Sequence, residues 1–267
     1  MRELSVRAMT GAAYVALTLG AAWAGPFTTF LLFLPVCVMA LREMHLLYRG
    51  PDTSTALAWS MLMGATVYVV MAMGVFEPRW HLGYAVAIAF ILLLITITWW
   101  LIHGVQQPGH ALGGALVLLL LVAVPFGLLP HFFLTDPWMF IGFMVLLWTN
   151  DTGAYLVGRL IGRTKLLPAV SPKKTVEGAI GGLGLTVLVG WLLARTHPFL
   201  SIREWITVAV IISITATLGD LLESAFKRAR GVKDSGHVLP GHGGILDRFD
   251  GFLLAVPAVA MYLSFVR

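Results

Sequence analysis

Apolar residues run along this chain in long blocks, separated by short polar breaks. The blocks lack the period-two alternation of a half-buried strand. Runs of about 18 residues or more recur along the whole length, each enough to cross a hydrocarbon core of ~30 Å as a helix. About nine spans are predicted, over roughly 8–24, 27–41, 55–75, 82–102, 111–130, 138–157, 176–194, 205–225 and 249–266. Turn chemistry separates them at Gly25-Pro26, Gly50-Pro51, Pro78, Pro108-Gly109, Pro130, Pro137 and Pro198. The second span is short and contains Pro35, so it is expected to be tilted, kinked or joined closely to the first. Trp99, Trp100, Trp138 and Trp205 fall near span ends, where indole suits the membrane interface.

Composition strengthens this picture. The chain has 267 residues, 58% hydrophobic and 12% charged, with mean hydropathy +0.87. A soluble domain is about 45–50% apolar and roughly 25% charged. Unpaired amides in lipid cost several kcal/mol each, which excludes open sheets there, and the alternation of a barrel is missing. The expected fold is therefore all-α, a polytopic integral membrane helical bundle. One membrane domain is expected over 1–267, with mostly apolar N-terminal spans in 1–135 and the chemistry in 148–252. Spans one to five carry almost no intramembrane charge; polar residues enter from Asn150 onward. The single cysteine, Cys37, lies in an apolar run and reads as a small buried hydrophobe.

The formal charge is +5 and the pI about 9.6. In a membrane protein the distribution of that charge matters more than its sum, and no nucleic-acid partner is expected. With the N-terminus in the cytoplasm, fourteen of the 18 Lys and Arg residues are cytoplasmic and four, Arg79, Arg195, Arg203 and Arg267, lie outside. The positive-inside rule favours this orientation. A multi-pass protein of the inner, cytoplasmic cell membrane, with its polar loops facing the cytoplasm, is expected. The N-terminal run ending "AWAG" also resembles a cleavable signal. An uncleaved first span is expected, because its apolar run exceeds the usual 7–15 residues of a signal core.

Three polar clusters carry candidate chemistry. In the first, 148–182, Asn150 and Asp151 sit within an apolar span, where an ionisable group is costly and marks a functional candidate. "SPKKT" then precedes an apolar helix; Ser171 suits the cap and Pro172 the first helical position. Lys173 and Lys174 would stand beside exposed amides that attract an anion. They also read as ordinary positive-inside lysines. "GAIGGLG" lacks the strand of a dinucleotide loop and reads as small-residue helix packing. In the second cluster, Asp220, Glu223, Ser224 and Lys227 recur at helical spacing on one face, with Arg228 beside them. A Glu223–Lys227 salt bridge is the plain structural reading; Asp220 has no Lys or Arg within a helical turn. The third cluster is "KDSGHVLPGHGGILDRFDG", 233–251. Its glycines permit tight, backbone-exposed turns. Asp247 and Asp250, with Asp220, would make a hard, oxygen-rich site suited to Mg²⁺, whereas the histidines lack zinc spacing. Acids for a cation, bases for phosphates and a body that admits lipid suit phosphoryl or nucleotidyl transfer to a lipid.

The stretch "SAFKRARGVKDSGHVLPGHGGILDRFD", 224–250, resembles the signature of the phosphatidate cytidylyltransferases, also called CDP-diacylglycerol synthases. Ser224, Lys227, Arg228, Lys233, Asp234, Pro240, His242, Gly243, Gly244, Asp247, Arg248 and Asp250 all match its pattern. "NDTGAYLVGRLIGRTKL", "SPKKTVEGAIGG" and "GDLLES" resemble further family blocks in the same order, so the likeness covers 148–252. The resemblance implies transfer of CMP from CTP to phosphatidic acid, giving CDP-diacylglycerol and pyrophosphate, with Mg²⁺. It assigns Asp220, Asp247 and Asp250 to the metal and the reaction, with a second monovalent cation such as K⁺ on the same acids. Lys227 joins them as a catalytic candidate. Lys173, Lys174, Arg228, Lys233 and Arg248 are phosphate candidates, and His242, Gly243 and Gly244 would shape the nucleotide loop. Asn150, Asp151, Glu223 and Ser224 complete the expected substrate-binding set. The expected partners are CTP, phosphatidic acid and membrane lipid, with a homodimer as the assembly considered. Two other readings stand beside this one. A CTP-dependent polyprenol kinase would share nucleotide and cation but not acceptor. A transporter should show inverted repeats, yet the polar residues here lie in one half.

Overall fold

A computed structural model of the chain describes residues 2–50, 54–104, 107–236 and 243–266. Among the described residues the chain is helical almost throughout, and eight helices are long and apolar enough to cross a membrane, with a shorter apolar helix over Met9–Ala24. The polytopic helical architecture is thus as the sequence predicts. Two compact units divide the chain: Met1–His131 with Asp234–Asp247, and Phe132–Lys233 with Arg248–Arg267.

The first unit holds α1 (Arg2–Ala24), α2 (Pro26–Arg49), α3 (Ser54–Phe76), α4 (Leu82–Ile102), α5 (Pro108–Val117) and α6 (Val124–Leu128). Gly25, at φ 115°, turns the chain between α1 and α2, and Pro26 opens α2 where a missing N–H costs nothing. α2 then runs unbroken through Pro35 for 24 residues, well beyond the expected end near 41. Arg42 and Glu43 resemble the polar end of a span, but Glu43 is buried at 1% exposure. The helices of this unit therefore hold a buried carboxylate that the sequence reading did not single out. Between α5 and α6 the helix widens into a π-turn over Leu118–Ala123. Pro125 explains it: the residue lacks an N–H to close the ordinary ladder, and its ring crowds the preceding turn. Tyr68 and Phe126 are fully buried in this core, and the Tyr68 hydroxyl donates to the Phe30 carbonyl at 2.7 Å. Gly127 lies where a Cβ would come within 2.7 Å of Met71 Cβ, so small size sets the approach of α3 and α6. Cys37 is fully buried, as its apolar setting predicts.

The second unit is built on α8 (Met139–Ile161), α9 (Val176–Thr196) and α10 (Ile202–Ala229), with short α7 (Phe132–Thr135) before them. Four-residue α11 (Leu246–Phe249) and α12 (Phe252–Val266) end the chain, α11 being divided between the two units. Glycines let α8 and α9 touch: a Cβ on Gly178 would meet the Ala154 carbonyl at 2.7 Å, and one on Gly182 the Asn150 carbonyl at 2.9 Å. This is the packing role expected of "GAIGGLG". Trp205, near the start of α10 as expected, is fully buried within the protein. Gly142 and Gly190 make room for its ring and backbone, and its indole N–H donates to the His197 carbonyl at 3.0 Å. The polar handle of the ring is thus satisfied internally. Ser201 caps α10 in a reciprocal box with Glu204.

The segment between α8 and α9 departs from the predicted helix start. Ser171–Thr175 is a strand, β2, paired antiparallel with β1 (Lys165–Leu167) in the register Lys165↔Thr175 and Leu167↔Ser171. The cap of α9 is Thr175, whose hydroxyl accepts from the Gly178 amide at 3.2 Å. Thr175 is buried against Gly158 and Gly162, and that packing selects it over Ser171 as the cap. Lys173 and Lys174 thus project from a hairpin rather than from a first helical turn.

Candidate active site

Glycine brings the acids of the second unit together. A Cβ on Gly219 would lie 2.5 Å from the Asp250 carbonyl, and one on Gly251 within 3.1–3.3 Å of Ala216. The backbone corner after α11 can therefore press directly on α10 beside Asp220. Asp250 faces the charges of Asp220, Asp151 and Glu223. Its own carboxylate accepts the Gly251 amide at 2.6 Å, which holds the corner.

Along α10 the predicted face is realised. The Ser224 hydroxyl donates to Asp220 Oδ1 at 3.3 Å, and Lys227 pairs with Glu223 one turn apart. Glu223 and Lys227 are buried, at 1% and 8% exposure. The structural salt bridge read from spacing is present. Asp220 gains the partner that helical spacing could not supply: Lys174, from β2, forms an ion pair with it.

Asn150 is buried between helices. Its Oδ1 accepts from the Ser213 hydroxyl on α10 at 2.7 Å, and its Nδ2 donates to Asp151 Oδ1 at 3.5 Å. Asn150 thus ties α8 to α10 and orients Asp151. These groups border a cavity of about 340 Å³. Asp151 and Asp220 supply its acids, Lys173, Lys174 and Arg159 its bases, and Tyr155 and Leu166 its apolar lining. Arg159 donates to the Tyr155 hydroxyl at 3.1 Å.

Glu177, absent from the predicted site set, anchors the hairpin. Its carboxylate accepts the Arg163 amide at 3.0 Å and the Thr164 amide at 3.1 Å, while the Val176 amide donates to the Thr164 carbonyl at 2.9 Å. An acid in the first turn of an apolar helix was the available signal. Arg228 donates to the carbonyls of Val170 and Val232, at 3.3 and 2.8 Å, and is exposed. Lys233 and Arg248 are also exposed.

Asp247 lies in the first unit, with the segment Asp234–Asp247. Its Oδ2 accepts from the Ser235 amide at 2.9 Å, the Ser235 hydroxyl at 3.0 Å and the Gly244 amide at 2.8 Å. Gly243 adopts φ 81°, where a Cβ would be strained and would also approach that oxygen. His242 and Pro240 lie outside the described residues. Glu43 is the other residue that sequence reasoning missed. It accepts the Ser235 hydroxyl at 2.8 Å, the Ile245 amide at 3.0 Å and the Leu246 amide at 2.8 Å. Among the described residues, no group of three or more His, Cys, Asp or Glu side chains is arranged to hold a metal ion by itself.

Comparison with known proteins gives the family. The model of the cytidylyltransferase family matches residues 5–266. The phosphatidate cytidylyltransferase of Staphylococcus haemolyticus (strain JCSC1435) is 37% identical over 247 residues, covering 88% of this chain and 90% of that protein. Those of Staphylococcus saprophyticus and Staphylococcus aureus (strain COL) are each 49% identical over 121 residues, covering 45% of this chain and 46% of theirs. A match over nearly the full length, together with a full-length relative above 30% identity, leaves one assignment: the chain belongs to the cytidylyltransferase family.

Proposed function

We propose that this protein transfers CMP from CTP to phosphatidic acid, forming CDP-diacylglycerol and pyrophosphate for phospholipid synthesis. The observation that carries the reading is the cavity of the second unit, where Lys173 and Lys174 face Asp151 and Asp220 within a membrane-spanning helical body. A phosphate oxygen of the lipid attacks the α-phosphorus of CTP. The bond from that phosphorus to the bridging oxygen breaks, and pyrophosphate leaves with its electrons. The nucleophile is already anionic, so no strong general base is needed, and positioning with charge neutralisation supplies most of the catalysis.

Lys173 and Lys174 are assigned to phosphate, with Arg228, Lys233 and Arg248 as further phosphate contacts. Lys227 is assigned to the same α10 face as Asp220. Asp220 and Asp250 are assigned to a divalent cation, Mg²⁺. Magnesium uses one or two carboxylates and keeps water and phosphate oxygens as its remaining ligands. Asp220 beside the lysine pair, with the Asp250 backbone pressed on neighbouring Gly219, supports that donor set. When bound, the ion would neutralise charge on the transferring phosphates. A monovalent cation such as K⁺ is a second candidate for the same acids. Asp247 is retained as a catalytic candidate on its place in the signature. The proposed orientation has the N-terminus, the β1–β2 hairpin and the 233–251 stretch on the cytoplasmic side, where CTP is available.

The test incubates purified protein in mixed micelles with CTP, Mg²⁺ and phosphatidic acid. Lipid-bound cytidine and released pyrophosphate are expected, both lost on chelation and restored by Mg²⁺. Release of CDP with a phosphorylated lipid would instead assign a lipid kinase. No nucleotide turnover with any lipid acceptor would overturn the reading.

A further inference from the structure

Glu43 lies on α2, among spans whose composition offers no chemistry, and is 1% exposed. A carboxylate in such a place is costly unless donors replace its water. Among the described residues its donors come from the distant signature stretch: the Ser235 hydroxyl and Leu246 amide on Oε2, and the Ile245 amide on Oε1. The same Ser235 hydroxyl also reaches Asp247 Oδ2, at 3.0 Å. One hydroxyl therefore lies within hydrogen-bond reach of two carboxylates and shares its single proton between them. The footprint of the acid recurs at the glycines: a Cβ on Gly236 would lie 2.5 Å from Glu43 Oε1, and one on Gly244 would collide with both Glu43 and Ser235. Two positions of this stretch, one of them the signature residue Gly244, are thus kept small by the presence of this side chain.

We infer that Glu43 is a positioning residue: through Ser235 it sets the Asp247 carboxylate, and through the Ile245 and Leu246 amides it fixes the backbone entering Asp247. The inference rests on the proposed nucleotidyl transfer for the meaning of Asp247, while the hydrogen-bond geometry stands without it. A purely structural acceptor would hold the chain and leave turnover alone. A positioning residue must alter the reaction in a folded protein, and must do so through Ser235.

The experiment compares wild type, Glu43→Gln, Ser235→Ala and the double variant, purified in detergent. Glu43→Gln keeps the size but replaces one acceptor oxygen with a donor. Ser235→Ala removes only the bridge and leaves the two amide contacts, so it carries the test if Glu43→Gln does not fold. In variants whose thermal unfolding remains cooperative, kcat should fall roughly tenfold or more, with both KM values within about twofold of wild type. The double variant should lose little beyond the worse single one, because both act through one network. Hydrogen exchange at residues 244–247 should quicken in Glu43→Gln. Folded single variants with kcat within about twofold of wild type, or losses that multiply, overturn the positioning role. Unchanged exchange overturns the clamp itself. A wild type that forms no lipid-bound cytidine overturns the functional reading and with it the role in turnover, and the exchange result then still decides the clamp.

Discussion

Lys174 on β2 and Asp220 on α10 form an ion pair in the cavity of the second unit, with side chains 26% and 33% exposed. A pair this accessible adds little to stability. Its importance lies in occupation: a phosphate competes for the lysine and a cation for the acid. The two ends should therefore fail differently. Lys174→Ala removes a charge-assisted contact worth about 1.5–3 kcal/mol, so the KM for CTP or phosphatidic acid should rise roughly ten- to 150-fold with residual turnover at saturation. Steady-state kinetics with each substrate varied separately reads this. If Lys173→Ala and Lys174→Ala both leave every parameter within about twofold, these lysines are topological charges only.

Asp220→Asn should instead abolish kcat while the protein still folds. The substitution preserves size and keeps an acceptor for Ser224, but removes charge from the assigned cation site. Near-normal Mg²⁺-dependent turnover with an unchanged melting profile would take Asp220 out of the site.

Asn150→Ala should act first on stability. The change strands the Ser213 hydroxyl at a buried helix contact, at a cost of about 1–3 kcal/mol. Thermal unfolding in detergent should show it, and activity should fall with the loss of the Asp151 contact. A variant as stable as wild type would mean that Ser213 finds another acceptor.

Gly219→Val tests whether backbone contact brings Asp250 to α10. A Cβ there would sit 2.5 Å from the Asp250 carbonyl, and valine adds two further methyls. Overpacking of this kind costs about 1–3 kcal/mol and would displace the corner. Turnover should be lost even where expression survives. Wild-type kinetics in a folded Gly219→Val protein would show that the approach is dispensable.

Orientation is open to chemical labelling, because the single native cysteine, Cys37, is buried and silent. Arg230 and Arg79 are both exposed and belong to opposite sides in the proposed topology. In intact cells an impermeant thiol reagent should label Arg79→Cys and spare Arg230→Cys. The reverse pattern would invert the model.

Much of this molecule was written locally. Long apolar runs can satisfy their amides in lipid only as helices, so the polytopic helical class follows from composition and length alone. The i, i+3, i+4 and i+7 spacing of Asp220, Glu223, Ser224 and Lys227 likewise dictates a shared face, because the helical period is fixed by its backbone bonds. Other features depended on partners distant in sequence. Lys174 meets Asp220 because Ser171–Thr175 pairs as a strand and Thr175, packed against glycines, takes the cap that Ser171 seemed suited to hold. Trp205 is interior because Gly142 and Gly190 make space for it and the His197 carbonyl accepts its N–H. Glu43 is the clearest case. Local sequence marks it as the polar end of a short span, since a lone carboxylate in an apolar helix is unfavourable there. Only the fold brings Ser235, Ile245 and Leu246 to it, and those donors make the buried acid tolerable.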